Sequence, residues 1–160
     1  MVIDVVALTQ GMPERAVPAG ESVFQDGAGT TAMLVVVSGR LRVLQGGAEI
    51  AVIDQPGAFV GEIGALLGTP RTADVVAAQD SVVRTIGEPE VVFSAHPQLA
   101  LELARQLAGR LHRLVAYLGD VREQYADRDD HLGMLDVVLA RLSSRPPVDI
   151  EPGSDRSPDY

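Results

Sequence analysis

Short β-rich runs, broken by glycine, proline and aspartate, dominate the chain from Arg15 to about Ile86 and constrain its fold more than any other feature. Valine, isoleucine and threonine favour pleated strands, whereas glycine and aspartate favour turns. Ser38-Gly39 and Gln45-Gly46-Gly47 each join two of the runs, and such turns favour hairpins. We therefore expect an antiparallel sandwich or roll. The runs are VVVSG (35–39), RLRVLQ (40–45), EIAVI (49–53), ADVVAA (73–78) and SVVRTI (81–86).

Helical features begin after Glu88. Pro89 suits the first turn of a short helix that ends near Ala95, and Pro97 suits the start of a long one. In this long helix, apolar residues recur at alternating spacings of four and three, which is typical of a seam between two helices. The seam predicts a homodimer, parallel or antiparallel. Its members are Ala100, Ala104, Leu107, Leu111, Leu114, Leu118, Val121 and Tyr125, and a second stripe of Leu99, Leu103 and Leu107 is predicted to lie on the roll.

The predicted fold class is α+β, mainly β: a double-stranded antiparallel β-roll, jelly-roll-like, with a long C-terminal helix. We expect residues 1–126 to form the roll with that helix, residues 127–143 to form an additional helix and residues 144–160 to form a disordered tail.

Composition disfavours several classes of function. The formal net charge of −9 repels the phosphate backbone of nucleic acids, and no segment approaches the roughly 20 apolar residues of a membrane helix. We expect a cytoplasmic protein that binds neither nucleic acid nor membrane. Cysteine is absent, and His96, His112 and His131 all lie outside the β-rich part, so no metal site is predicted. No serine lies in the context of a nucleophile elbow, so no enzyme is predicted.

The stretch from Gly61 to Ala77, GEIGALLGTPRTADVVA, carries the chemistry. It is predicted to contain one helical turn around Gly64 to Leu67, and the free N–H groups of a helix start attract phosphate. Arg71 can grip a phosphate with its bidentate fork, and Glu62 can accept a hydrogen bond from a sugar hydroxyl. The alternative is that the two form a surface ion pair of little consequence.

This stretch resembles the phosphate-binding cassette of the cyclic-nucleotide-binding domains of catabolite activators, protein kinase regulatory segments and cyclic-nucleotide-gated channels. The resemblance extends from about Val17 to Tyr125. Activators that this stretch resembles continue into a winged helix-turn-helix of about 60 residues, more than follow Leu142, so a stand-alone domain without a DNA-binding module is expected. The resemblance implies that Glu62 binds the ribose 2′-hydroxyl and Arg71 the cyclic phosphate, assisted by backbone N–H groups near Ile63, Gly64 and Ala73. The matching positions are Gly61, Glu62, Ile63, Gly64, Ala65, Leu66, Pro70, Arg71 and Ala73.

The resemblance implies a sensor of cAMP or cGMP, without another cofactor, whose long helix reports occupancy to its dimer mate or to an unidentified effector protein. Thr72 is similar to the position that contacts guanine in cGMP-selective members, although bacterial activators that bind cAMP also carry a hydroxyl there. Leu114 stands about where activators read adenine with a polar side chain, and Arg110 lies near a pocket-facing position, so both are possible lid residues. The competing hypothesis is a ligand-free roll that acts as a scaffold for protein interactions.

Overall fold

The computed structural model describes residues 3–29 and 31–124. The chain divides into two compact units, Met1–Ala108 and Gly109–Tyr160. The additional helix predicted at 127–143 and the tail at 144–160 lie outside the described residues, and the predicted boundary at 126 stays a prediction.

Among the described residues of the first unit, eight strands form the roll. They build two four-stranded sheets, one in the order β1-β8-β3-β6 and the other in the order β2-β7-β4-β5, and every strand pair is antiparallel. The prediction of an antiparallel β-roll is therefore confirmed. The strands are β1 Glu14–Val17, β2 Ser22–Phe24, β3 Met33–Ser38, β4 Leu41–Gln45, β5 Ala48–Ile53, β6 Phe59–Val60, β7 Asp74–Ala77 and β8 Ser81–Ile86.

In the sequence of the described residues, one helix precedes the strands of the roll, one lies between β6 and β7, and two follow β8. The predicted helices after Pro89 and Pro97 are confirmed, and the cassette helix begins at Glu62, earlier than predicted. The sequence analysis missed α1, a single helical turn. Asp4 caps its N-terminus, since the N–H of Ala7 donates to the Asp4 carboxylate at 2.9 Å. The helices are α1 Val5–Leu8, α2 Glu62–Leu67, α3 Pro89–Ala95 and α4 Pro97–Gln124.

The two glycine turns differ in kind. Gly46-Gly47 joins β4 to β5 as an antiparallel hairpin, as predicted. The hairpin predicted at Ser38-Gly39 is wrong, because β3 and β4 belong to different sheets and this turn is a corner between them. A Cβ at Gly39 would lie 2.5 Å from the Ser81 Cα, and its φ is +97°. The close approach of this corner to β8 therefore requires glycine. In the sequence, the same serine and glycine between two β-rich runs indicate a hairpin.

Two apolar clusters hold the first unit together. One fills the space between the sheets, with Val36, Leu41 and Val83 at its centre. The other lies where helices cover the first sheet, and it includes Phe59, Leu99 and Leu103. Because Leu99 and Leu103 are buried, the predicted packing of this stripe of α4 on the roll is confirmed.

Candidate functional site

Gly61 makes the turn between β6 and α2. Its φ of +79° is left-handed, a conformation that side chains with a Cβ avoid. A Cβ there would also lie 2.6 Å from Cε2 of Phe24 and 2.7 Å from Nη1 of Arg71. Backbone conformation and crowding thus both require glycine, and the tight turn brings its carbonyl oxygen to the Arg71 guanidinium.

The Arg71 side chain is buried at the centre of the site, with 5% of its surface exposed. Nη1 donates to the carbonyl oxygen of Gly61, and Nη2 donates to that of Ala32, just before β3. The Arg71 Cζ lies 4.1 Å from the ring centroid of Phe24, in cation–π contact. One guanidinium therefore joins the start of α2, the start of β3 and the end of β2.

The backbone of Arg71 is fixed as firmly as its side chain. Its N–H donates to the carbonyl oxygen of Ala28 at 3.1 Å, and its carbonyl oxygen accepts from the N–H of Gly27 at 2.8 Å. These bonds tie the segment before β7 to the loop that follows β2. The position of the guanidinium is thus set by main-chain bonds as well as by its own contacts.

One donor of this guanidinium is unused. Nε of Arg71 is buried and has no hydrogen-bond partner in the part of the chain that the structure describes. Burial lowers the pKa of Arg71 from its ordinary value, and the Glu62 carboxylate partly offsets that effect. The group stays protonated all the same, because the pKa of arginine is so high. A buried cation with a spare donor is suited to bind an anion.

Glu62 opens α2, and only 4% of its surface is exposed. Its carboxylate lies close enough to Arg71 to act on the pKa of the guanidinium. Both members of the pair are buried, so the alternative of a surface ion pair does not fit this site. A buried carboxylate beside a buried guanidinium can accept a hydrogen bond from a polar ligand next to the anion.

The other predicted site residues differ in burial. Gly64 is buried, and a Cβ there would lie 3.0 Å from the Thr69 carbonyl oxygen and 3.1 Å from Arg71 Nη1. Ile63 and Thr72 are exposed, and Ala73 is half-buried. The first turn of α2 leaves the N–H groups of its opening residues without intrahelical acceptors, as the predicted role for Ile63 and Gly64 requires.

The two possible lid residues, Arg110 and Leu114, lie on α4 in the second unit. Leu114 is exposed, and the lid role of both residues stays a prediction. Sequence reasoning missed Phe24 as a site residue. The only signal for it was its place at the end of a strand followed by Asp26-Gly27, which does not reveal that its ring faces an arginine far along the chain.

Residues 3–29 and 31–124 hold no group of three or more histidine, cysteine, aspartate or glutamate side chains that could bind a metal ion. None of the helices among them is long and apolar enough to cross a membrane.

The family model for the cyclic nucleotide-binding domain matches residues 14–92, which include the whole roll and the cassette. Residues 14–92 are a cyclic nucleotide-binding domain. The match covers Phe24, Gly61, Glu62 and Arg71, so the buried cluster described above lies within the family's domain.

A curated relative of this chain is the Pycsar effector protein XpPycTIR of Xanthomonas perforans. The two are 28% identical over 156 residues, which cover 88% of this chain and 51% of the relative. The chain thus spans about half the length of the curated relative it matches.

Solved structures share the fold. The catabolite activator protein of Thermus thermophilus matches 73% of this chain and 56% of its own, with 27% identity and a TM-score of 0.61. A structure from a cyclic-GMP-dependent signalling pathway that regulates bacterial phytopathogenesis matches 71% of this chain and 95% of its own, with 24% identity and a TM-score of 0.58. The second likeness shows the fold alone.

The crowding at Gly61 predicts a difference between two glycines at opposite ends of α2. Gly61→Ala and Gly68→Ala both place a Cβ at a left-handed position, but only Gly61 is crowded, since nothing lies within 4 Å at Gly68. We expect Gly61→Ala to lower the free energy of unfolding by about 1 to 3 kcal/mol more than Gly68→Ala, because Phe24 and Arg71 must move. Urea unfolding followed by circular dichroism measures both variants, and equal losses would contradict the crowding argument.

Proposed function

We propose that this domain binds a cyclic nucleotide, cAMP or cGMP, with Arg71 on the cyclic phosphate and Glu62 on the ribose 2′-hydroxyl. The observation that carries the proposal is the buried guanidinium of Arg71 with its unused Nε donor. A phosphate oxygen at Nε would supply a charge-assisted hydrogen bond and offset the cost of burying the cation. Free N–H groups of Ile63 and Gly64, with that of Ala73, would assist.

Glu62 supports a nucleotide over a free phosphate as the ligand. An acidic side chain beside an anion-binding arginine repels a second charge, but it accepts hydrogen bonds from a neutral hydroxyl. The ribose of a cyclic nucleotide offers such a hydroxyl next to the phosphate. Thr72 is exposed, and in this proposal its hydroxyl is available to a guanine base. Calorimetry with a panel of cyclic nucleotides that includes cAMP and cGMP is the experiment that identifies the ligand.

The proposed role is regulatory. The relatives support it, since one is named an effector protein and another a catabolite activator protein. In this proposal, binding at the cassette alters α4, and the helix reports occupancy to a dimer mate or to an effector protein in the cytoplasm. The domain itself catalyses nothing.

Removal of the Arg71 side chain tests the phosphate role. Arg71→Ala is expected to weaken binding of the preferred cyclic nucleotide by about 2 to 4 kcal/mol, because a charge-assisted contact in a desolvated site is lost. Isothermal titration calorimetry measures the loss, and Arg40→Ala is the control, since Arg40 pairs with Asp54 only at the exposed surface. Undiminished binding by a folded Arg71→Ala protein would refute the phosphate role. A wild type that binds no cyclic nucleotide would instead favour the scaffold hypothesis.

The ribose role predicts coupling between Glu62 and the 2′-hydroxyl. The wild type should bind the 2′-deoxy nucleotide about 1.5 to 3 kcal/mol more weakly than its parent, the range for a hydrogen bond to a charged group. In Glu62→Ala this preference should disappear, because the acceptor is gone. Competition against a fluorescent cyclic nucleotide gives all four affinities, and a preference that survives in Glu62→Ala assigns the hydroxyl to another residue.

The seam of α4 predicts a homodimer. Leu111 and Leu114 are about half exposed, 49% and 50%, and an apolar stripe of this length is stable in water only when a partner covers it. Leu111→Asp with Leu118→Asp should convert the dimer to a monomer whose roll survives, because charge is costly only at a buried seam. Light scattering measures the mass, and Leu101→Asp is the control, since Leu101 is 50% exposed on the same helix but off the seam. A monomeric wild type, with and without nucleotide, would end the dimer prediction.

A further inference from the structure

The side chain of Gln106 on α4 makes a paired contact with the main chain beside β6. Its Oε1 accepts from the N–H of Phe59 at 3.1 Å, and its Nε2 donates to the carbonyl oxygen of Gly57 at 3.0 Å. One carboxamide thus bonds to both a donor and an acceptor of the same strand segment. This is the pattern that a neighbouring strand would offer.

β6 needs such a partner because it is the edge strand of its sheet. On one side, the N–H of Gly57 donates to Val36 at 2.8 Å and the carbonyl oxygen of Ala58 accepts from Val36 at 2.9 Å. The other side carries the groups that Gln106 satisfies. Phe59 is fully buried, so its N–H could not bond to water in place of the Gln106 carboxamide.

The same short strand leads directly into the cassette. Val60 ends β6, and the next residue, Gly61, gives its carbonyl oxygen to Arg71. The strand pairs with β3 through only two register positions, Leu34 with Val60 and Val35 with Phe59. Polar contacts therefore hold both ends of β6: Gln106 before it and Arg71 after it.

A second element meets α4 at this place. A Cβ at Gly57 would lie 3.2 Å from the Cβ of Val5, so α1 packs against the residue whose carbonyl oxygen Gln106 bonds. Gly57 is buried between these contacts. The loop before β6 is thus fixed by α1, by β3 and by Gln106 at once, and Gln106 is the member of this set that belongs to α4.

We propose that Gln106 is a positioning residue that fastens the first turns of α4 to β6 and, through β6, sets the position of the Arg71 cassette. The inference deepens the proposed function and rests on it for the role of the ligand. In this arrangement a nucleotide that draws Arg71 away from the Gly61 carbonyl also acts on the strand held by Gln106. The contact between α4 and the phosphate site is then a pair of hydrogen bonds, directional and sensitive to small shifts.

Gln106→Met tests the proposal, since it keeps the length of the side chain and removes both hydrogen bonds. In the ligand-free full chain, hydrogen exchange resolved by residue should show protection of the Phe59 amide lowered by roughly tenfold, with faster exchange also at Gly61 and Glu62. The affinity for cAMP or cGMP should fall by roughly three- to tenfold, because a looser cassette must be ordered on binding. Gln106→Glu, which keeps an acceptor towards Phe59, should lose less protection there than the methionine variant.

Two control variants separate positioning from loss of stability. Gln98→Met makes the same change at an exposed position of α4 and should alter nothing. Val83→Ala removes buried volume from the other apolar cluster, so it lowers the melting temperature without touching the Gln106 contact. If Gln106→Met and Val83→Ala change cassette exchange and affinity alike at equal loss of stability, the proposal is overturned.

The experiment distinguishes failure of the Gln106 role from failure of nucleotide binding. Exchange at Phe59, Gly61 and Glu62 is measured without ligand, so it reports on Gln106 even if the wild type binds neither cAMP nor cGMP. That outcome would refute nucleotide binding alone. Unchanged cassette exchange in Gln106→Met, together with normal nucleotide binding by the wild type, would refute the positioning role alone.

Discussion

The site depends on the contacts of one buried cation, the guanidinium of Arg71. It joins the carbonyl oxygens of Gly61 and Ala32 and lies over the Phe24 ring, so residues from separate parts of the chain meet at one cation. A buried charge is tolerated only where hydrogen bonds compensate for lost water. The left-handed Gly61 provides one of those acceptors, and a Cβ at Gly64 would crowd the arginine at 3.1 Å. Gly61 and Gly64 therefore leave the space in which the cation is buried.

The cassette could be predicted from sequence because its determinants are local. Gly61, Glu62, Gly64 and Arg71 lie within one short stretch, and each acts through a property of its own residue type: conformational freedom, an acceptor, small size and a fork of donors. The strands β3, β4, β5, β7 and β8 and both proline-started helices were predictable for the same reason, since residue periodicity and turn residues can be read in short windows. The short strands β1, β2 and β6 were not among the predicted runs. What the stretch alone did not reveal was that its acid and its arginine are buried.

The features that sequence reasoning missed depend on contacts between distant segments. Ser38-Gly39 has the composition of a hairpin turn, and only the approach of Ser81 makes it a corner between sheets. Phe24 faces an arginine from another strand connection, and Gln106 bonds to main-chain atoms far earlier in the chain. Nothing in the local sequence of a polar helix residue distinguishes Gln106 from the exposed Gln98. These roles arise from topology and not from propensity.

Apolar contacts hold the sheets of the roll, whereas hydrogen bonds from two side chains hold the short strand β6. Close-packed apolar clusters hold the sheets and the first turns of α4, and such packing resists gradual deformation. β6 is different, because it is short, lies at an edge and is held at both ends by side-chain hydrogen bonds from Gln106 and Arg71. A ligand that competes for the donors of Arg71 alters one of those ends at little cost in buried apolar area. The strand that connects the cassette to the long helix is thus the part of the roll that the fewest apolar contacts hold against a change at Arg71.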